Sequence, residues 1–365
     1  MILFEKFMPF ISKMICCGGM EINMPGFTTH YLFGLNAYKH FSSTPLKRTI
    51  CKRHTAYALG LQGPDLFFYF LPSYLVHKNN IGSVAHTEKT NQFLRHLLNS
   101  RKLFQTPKEQ EIAHAYMAGF LGHYTLDTHC HPYVYWKTEF QEKNNQYHGR
   151  HMGLETEIDT KLLKFYKQLS PSAFRQDSTI SLSRLQKHTI VKILHYAYHN
   201  TYPQLGILPI TIRTSIGSIQ MGTKFLRDPS GKKKAVIGTL EQLFFGHTLL
   251  STLIPSDTFF IHADPLNLLH QPWKNPWDAS FTSNDSFFDL MQNAQKSYIN
   301  ILSELNQLLY SDTQKKSGTS HQEFVYPQSD LPDSRRQKNS PNWNMFLKNL
   351  GNLSYHSGLD ADIPS

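Results

Sequence analysis

Apolar residues recur three and four positions apart along most of this chain, and no alternating apolar-polar run of convincing length interrupts them, so the sequence predicts an all-α protein. A first helix is expected over residues 28–41 (TTHYLFGLNAYKHF), capped by Thr28 or Thr29. On it His30 shares a face with Gly34, Ala37 and Phe41, while His40 points elsewhere. Residues 59–70 (LGLQGPDLFFYF) break at Gly63 and Pro64, directly before Asp65 and a cluster of aromatics. A carboxylate there either caps the next helix or serves a site, and one residue can do both. Residues 83–98 predict an amphipathic helix with His86, Thr90, Phe93 and Leu97 on one face and His96 off it.

The next helix carries a full start signal: Thr106 as cap, Pro107 in the first turn and Glu109 as the capping-box acid. Its stripe of Ile112, Tyr116, Gly119 and Phe120 continues into His123 and Asp127, and Gly119 would let a neighbouring element approach closely. His114 is expected to be exposed, His129 lies off the stripe, and Pro132 should end or bend the helix near His131. Residues 150–169 form a further helix with His151, Glu155, Ile158 and Leu162 on one face, Asp159 close to it and Glu157 outside it. After a looser stretch at 170–181, helical texture resumes from about residue 183. It is interrupted by HADPLNLLHQPWKNPWD, expected to be an ordered loop packed on the helices. Residues 311–342 are polar and proline-bearing and predict a long flexible loop, after which WNMFLKNLGNLSYHSGL can dock as a short helix.

At 365 residues, 40% hydrophobic and 13% aromatic, the chain can bury a large core. The most apolar stretch, LFFYFLPSYLV from Leu66, is broken by Pro72 and falls short of the roughly 18–20 residues that span a bilayer. A net charge of +10 favours anionic partners such as lipid head groups, nucleic acid or phosphate esters. The basic runs at 232–234 and 335–338 are otherwise solvated loops. Four cysteines (Cys16, Cys17, Cys51, Cys130) form no CxxC pair and imply no stapled, oxidised domain. Residues 1–23 are mildly apolar but interrupted by Glu5, Lys6 and Lys13, an N-terminal extension or weak signal segment, with a translation start at Met24 as the other reading. A cytoplasmic or peripheral-membrane location is expected, with secretion left open.

The twenty histidines change the picture because periodicity sorts them. His30, His86, His123, Asp127, His151 and Glu155 fall on inward faces, whereas His40, His96 and His114 do not. Burying that many ionisable groups unpartnered would cost several kcal/mol apiece, against a total stability of about 5–15 kcal/mol. Mutual His-carboxylate pairing is the plain solution for one helix. Two helices carrying HxxxD and HxxxE, with inward His30 and His86, the turn Asp65, and His131, make a metal cluster the simpler account. The candidate ligands are therefore His30, Asp65, His86, His123, Asp127, His131, His151 and Glu155.

In that order, and in the contexts MPGFTTHYLFG, GLQGPDLFFY, GSVAHTEKTNQF, HYTLDTHCHPYVYW and HMGLE, the chain resembles the zinc-dependent phospholipases C of the phospholipase C/D superfamily, in particular bacterial members of the Gram-positive anaerobe type. The resemblance covers residues 24–165 strongly and the later helices more loosely. It implies a multi-helix bundle of the phospholipase C/single-strand nuclease type with two to three zinc ions between its helices. It also implies Asp127 bridging two zincs, Asp65 as a ligand and general base, and water activated at zinc attacking phosphorus. The spacing from Asp127 to His131 is shorter than in the secreted enzymes, which leaves His129 as substitute for His131 and His148 in reserve. Secreted members also ligate zinc through the mature N-terminal residue, a role open to Pro25 if translation starts at Met24 and that methionine is removed.

The implied partner is a phospholipid or small phosphodiester, with contact at a membrane surface and no obligate protein partner. Phe67, Phe68, Tyr69, Tyr133, Tyr135 and Trp136 are either core or a cage for a quaternary ammonium head group. The implied activity is a zinc-dependent phospholipase C-like phosphodiesterase. Two alternatives stand beside it: a trinuclear-zinc single-strand nuclease, for which nucleic acid is the partner, and a non-catalytic, metal-stabilised α-helical binding protein. The expected organisation is one all-α domain over 24–310, with a metal half at 24–165 and accessory helices at 183–310, followed by the loop and short helix of 311–365.

Overall fold

Helix α1 (Phe27–His40) is capped neither by Thr28 nor by Thr29. Gly26 stands at its N-cap, and the amides of Thr28 and Thr29 are donated to the Asp159 carboxylate at 2.9 and 2.7 Å, with Thr29 Oγ1 adding a third bond at 2.6 Å. A carboxylate at a helix N-terminus satisfies amides that have no partner within the helix. Here it comes from a helix far along the chain, which no local pattern can reveal.

The computed structural model describes residues 26–70, 81–139, 147–248, 250–257, 262–316 and 342–362. The leading stretch with Pro25, the basic run at 335–338 and most of the expected 311–342 loop lie outside them. The described chain is about 70% helical. Helices α2 (Pro45–Lys52) and α3 (His54–Gly60) lead into a 3-10 turn, Gly63–Phe67, that holds Asp65. The helix expected over 83–98 is two, α4 (Ile81–Thr87) and α5 (Thr90–Asn99), because Lys89 adopts a left-handed conformation at φ 51°. Its face survives the break, since His86, Thr90, Phe93 and Leu97 are all buried.

Helix α6 (Pro107–Lys137) starts as its cap foretells, with the Glu109 amide donated to Thr106 Oγ1 at 3.3 Å. Pro132 does not end it. The helix runs on to Lys137, and the ring at 132 removes the amide that Thr128 O would accept. His114 is not exposed either: it is half-buried, with Nδ1 3.1 Å from the Tyr310 hydroxyl, and burial lowers its pKa to about 4. Helix α7 (Tyr147–Lys167) buries Glu157 as well as the expected face, and Glu157 accepts the His262 amide at 3.1 Å.

The remaining described helices of eight or more residues are α8 (Arg184–Thr201), opened by a Ser183/Gln186 capping box, α9 (Pro209–Leu226), α10 (Lys232–Phe245), α11 (Phe287–Lys316) and α12 (Trp343–Leu350). The Pro/Trp-rich linker is ordered but includes a strand, β1 (Trp273–Asn275), paired antiparallel with β2 (Asp278–Ser283). Three residues are too few to show period two in the sequence; Trp273 and Asn275 point inward and Lys274 outward.

Helices α3 and α6 cross at two glycines. A Cβ on Gly119 would lie 2.2 Å from the Tyr57 carbonyl oxygen, and one on Gly60 would lie 2.2 Å from that of Tyr116. The contact demands glycine on both sides. Beside it the buried Tyr298 hydroxyl donates to Ala118 O at 2.7 Å and Tyr57 OH donates to Gly34 O at 3.0 Å, joining α1, α3, α6 and α11 around one core. No described helix is long and apolar enough to cross a membrane.

Candidate metal centre

Five segments carry the eight candidate ligands to one place. Helix α1 brings His30, the 3-10 turn Asp65, α4 His86, α6 His123, Asp127 and His131, and α7 His151 and Glu155. All eight are buried, from 0% exposure at His123 to 7% at His131. Asp127 lies at the middle. His30 Nε2 stands 3.1 Å from its Oδ1 and His123 Nε2 2.9 Å from its Oδ2, while His86 and His131 each approach to 3.8 Å. On one side His86 Nε2 lies 3.0 Å from Asp65 Oδ1; on the other, His131 and His151 lie 3.4 and 3.5 Å from Glu155 Oε1.

The orientation of three rings decides what these distances mean. His86 Nδ1 is 2.7 Å from Gly82 O, His123 Nδ1 3.2 Å from Leu61 O, and His131 Nδ1 2.8 Å from Tyr355 O. A carbonyl only accepts, so each Nδ1 carries a proton, and in the neutral rings of His86 and His123 the lone pair of Nε2 is turned toward a carboxylate. Lone pair facing lone pair at 2.9 Å is repulsive unless a cation lies between. Consistent with this, His123 Nε2, Asp127 Oδ2 and both oxygens of Asp65 are buried without a well-formed hydrogen bond despite their short separations. Anchoring of Nδ1 by a backbone carbonyl is how metal-ligating histidines are held.

Electrostatics points the same way. Burial, then the neighbouring Asp127 charge, pushes the Asp65 carboxyl well above the usual carboxylate range. Burial would raise Asp127 too, but His123, His131 and His30 outweigh it and hold it well below that range. Burial opposes a charge on His131, yet Asp127 and Glu155 drive its pKa up to about 9. His86 and His123 are lowered by burial, to about 4 and about 3. Without a cation, the buried carboxylates are balanced by protons held on Asp65 and His131. Imidazole nitrogens and carboxylates in this mixture suit a borderline divalent ion such as zinc. Among the described residues two groups satisfy the geometry for one ion, His30 with His123 and Asp127, and Asp65 with His86 and His123.

The arrangement places the residues between which the pattern leaves a choice. Asp65 faces His86 and His123 and, among the described residues, caps no helix. His131 points into the cluster, whereas His129 Nδ1 folds back to Thr125 O at 2.8 Å on another face of α6. His148's side chain lies outside the described residues. Of the six aromatics, Phe68 lies 5.5 Å from the His86 ring and Tyr135 4.7 Å from that of His151. Phe67 packs on Tyr198 and Tyr133 on Trp273, as core. Two of the six thus lie against the cluster and two in the core.

Sequence reasoning missed the C-terminal contribution. Tyr355 and His356, from the segment after α12, sit against the cluster, with the His356 ring 5.5 Å from His86 and 6.2 Å from His131. Their only signal is a histidine in SYHSG, which has no helical period to say that it faces inward. A narrow cleft lined by Gly26, Thr29, Leu126, Val134, Ile158 and Phe287 has His30, Asp127, His131 and Glu155 among its walls.

A family model described as zinc dependent phospholipase C matches residues 29–205, which include all eight of these side chains. No curated protein and no solved structure matches the chain.

Proposed function

We propose, on the premise that through residues 29–205 the chain belongs to the zinc dependent phospholipase C family, that it is a zinc-dependent phosphodiester hydrolase of the phospholipase C type. Its substrate is a phospholipid or related phosphoester, and the products are a diacylglycerol-like alcohol and a phosphorylated head group. The observation that carries the reading is the orientation of His86, His123 and His131: Nδ1 bound to backbone carbonyls and Nε2 aimed at buried carboxylates.

His30, Asp65, His86, His123, Asp127, His131, His151 and Glu155 would hold two or three ions. Zinc bound there supplies Lewis acidity, polarising the phosphoryl oxygens and making water acidic enough to attack phosphorus near neutral pH. Asp127, with one oxygen toward His30 and the other toward His123, bridges the two sides of the centre. Asp65, beside His86 and His123, would serve as a ligand and as the general base that takes the proton lost by the attacking water. The backbone carbonyls of Gly82, Leu61 and Tyr355 keep the imidazoles in register as charge develops on the phosphate. The walls beside the centre at Leu126, Val134, Ile158 and Phe287 are apolar, in keeping with a lipid-like substituent.

Zinc content by elemental analysis, with hydrolysis of lecithin, a chromogenic phosphocholine ester and single-stranded DNA with and without chelator, tests the reading. Chelator-sensitive cleavage of either phosphocholine substrate supports it. Cleavage of DNA with lecithin intact would replace it by a nuclease. Tightly held zinc with no hydrolysis would leave a structural metal, a reading that the near-complete burial of the donors favours.

A further inference from the structure

We propose that residues 353–360, beyond the part of the chain matched by the family model, are a working part of the metal centre, so that docking of this segment and metal binding are coupled. The inference rests on the zinc reading above.

The segment is tied to two of the histidines at once. Tyr355 accepts the Nδ1 proton of His131 at 2.8 Å through its carbonyl oxygen and donates its own amide to the backbone carbonyl of His86 at 3.0 Å. One residue thereby spans the gap between the Asp65/His86 side of the centre and the His131/Glu155 side. The next residue, His356, is 3% exposed and lays its ring against His86 and Tyr135. Farther along, the Ser357 carbonyl accepts from Asn275 Nδ2 at 2.8 Å, fixing the segment to the hairpin. Gly358 then passes over α6 with φ 66°, so close that a Cβ there would lie 2.5 Å from Thr128 O, the carbonyl freed by Pro132.

Tyr355 is thus a positioning residue. Its carbonyl holds the Nδ1 proton of His131 and so fixes the ring with Nε2 presented to Asp127 and Glu155. Loss of such a partner ordinarily costs about 10–100-fold in metal affinity. By linkage, a metal that prefers the docked arrangement must stabilise docking by the same factor.

Two measurements on the full chain decide it. The first is hydrogen exchange of residues 353–360 in wild-type protein with zinc and after chelation; protection that rises at least about tenfold with zinc is expected, and protection unchanged by zinc would overturn the proposal. The second is zinc affinity, by chelator competition, of Gly358→Val and Asn275→Ala, which touch none of the eight candidate ligands. Weakening by about 10–100-fold is expected in whichever variant exchange shows the segment released, and wild-type affinity in a released variant would overturn the proposal. If neither variant releases the segment, the wild-type exchange result decides. Wild-type protein that binds no zinc at all would instead remove the zinc reading itself, an outcome distinct from zinc bound without coupling.

Discussion

His123 directs Nε2 at Asp127, 2.9 Å away, because its Nδ1 proton is already committed to the carbonyl of Leu61. The carboxylate therefore meets a lone pair where it would otherwise find a donor. Asp127→Asn keeps the size of the side chain but removes the negative charge that His30, His123 and His131 surround. We expect it to lower zinc affinity and any hydrolysis by at least about a hundredfold while the helical circular dichroism is retained. Full activity in this variant would refute the central role of Asp127.

Removing the metal should destabilise the fold. Asp65, Asp127 and Glu155 are buried among imidazoles, and without a cation their charge must be met by protons. For free zinc near a thousand times the dissociation constant, mass action stabilises the native state by about 4 kcal/mol. Thermal melts with and without chelator should differ by several degrees, and coincident melts would count against a metal in this site.

The crossing of α3 and α6 makes a contrasting pair of substitutions. Gly119→Ala would drive a methyl group into the Tyr57 carbonyl at 2.2 Å, a backbone atom that cannot turn away. A loss of about 1–3 kcal/mol is expected. Gly217→Ala, inside α9 with nothing within 4 Å of its Cβ, should instead gain about 0.5–1 kcal/mol from helix propensity. Urea midpoints of the two variants should move in opposite directions.

Asp159 gives the fold a pH dependence. Burial raises its pKa to about 6 from an ordinary 3.8, even though three hydrogen bonds from Thr28 and Thr29 pull it down. Between those values the folded state binds more protons than the unfolded, so this group's contribution to stability declines as pH rises from about 4 to about 6. A shift of about two units corresponds to about 3 kcal/mol. Wild type minus Asp159→Asn, compared by denaturation of the chelated protein across that range, should show the decline. A difference that stays flat or grows with pH would contradict it.

Much of this fold is written in periodicity. Residues one turn apart on a helix share a face, so the apolar stripe of α6 alone places His123 and Asp127 inward, and the same test separates His86 from His96. The Thr106-Pro107-Glu109 start and the close approach at Gly119 are legible for the same local reason. Periodicity fails where a distant element sets the environment. His114 is sheltered by Tyr310, α1 is capped by Asp159, and Pro132 sits within a helix that continues past it.

The sequence by itself determined the all-α class and which segments supply imidazoles and carboxylates, because those follow from residue type and from spacing within one turn. Only the tertiary structure decided how the segments meet: that carbonyls of Gly82, Leu61 and Tyr355 orient three rings, and that the C-terminal segment lies against the centre. Contacts between residues more than 200 positions apart, such as His131 with Tyr355, leave no period in the chain. They arise from packing, which is a property of the whole fold.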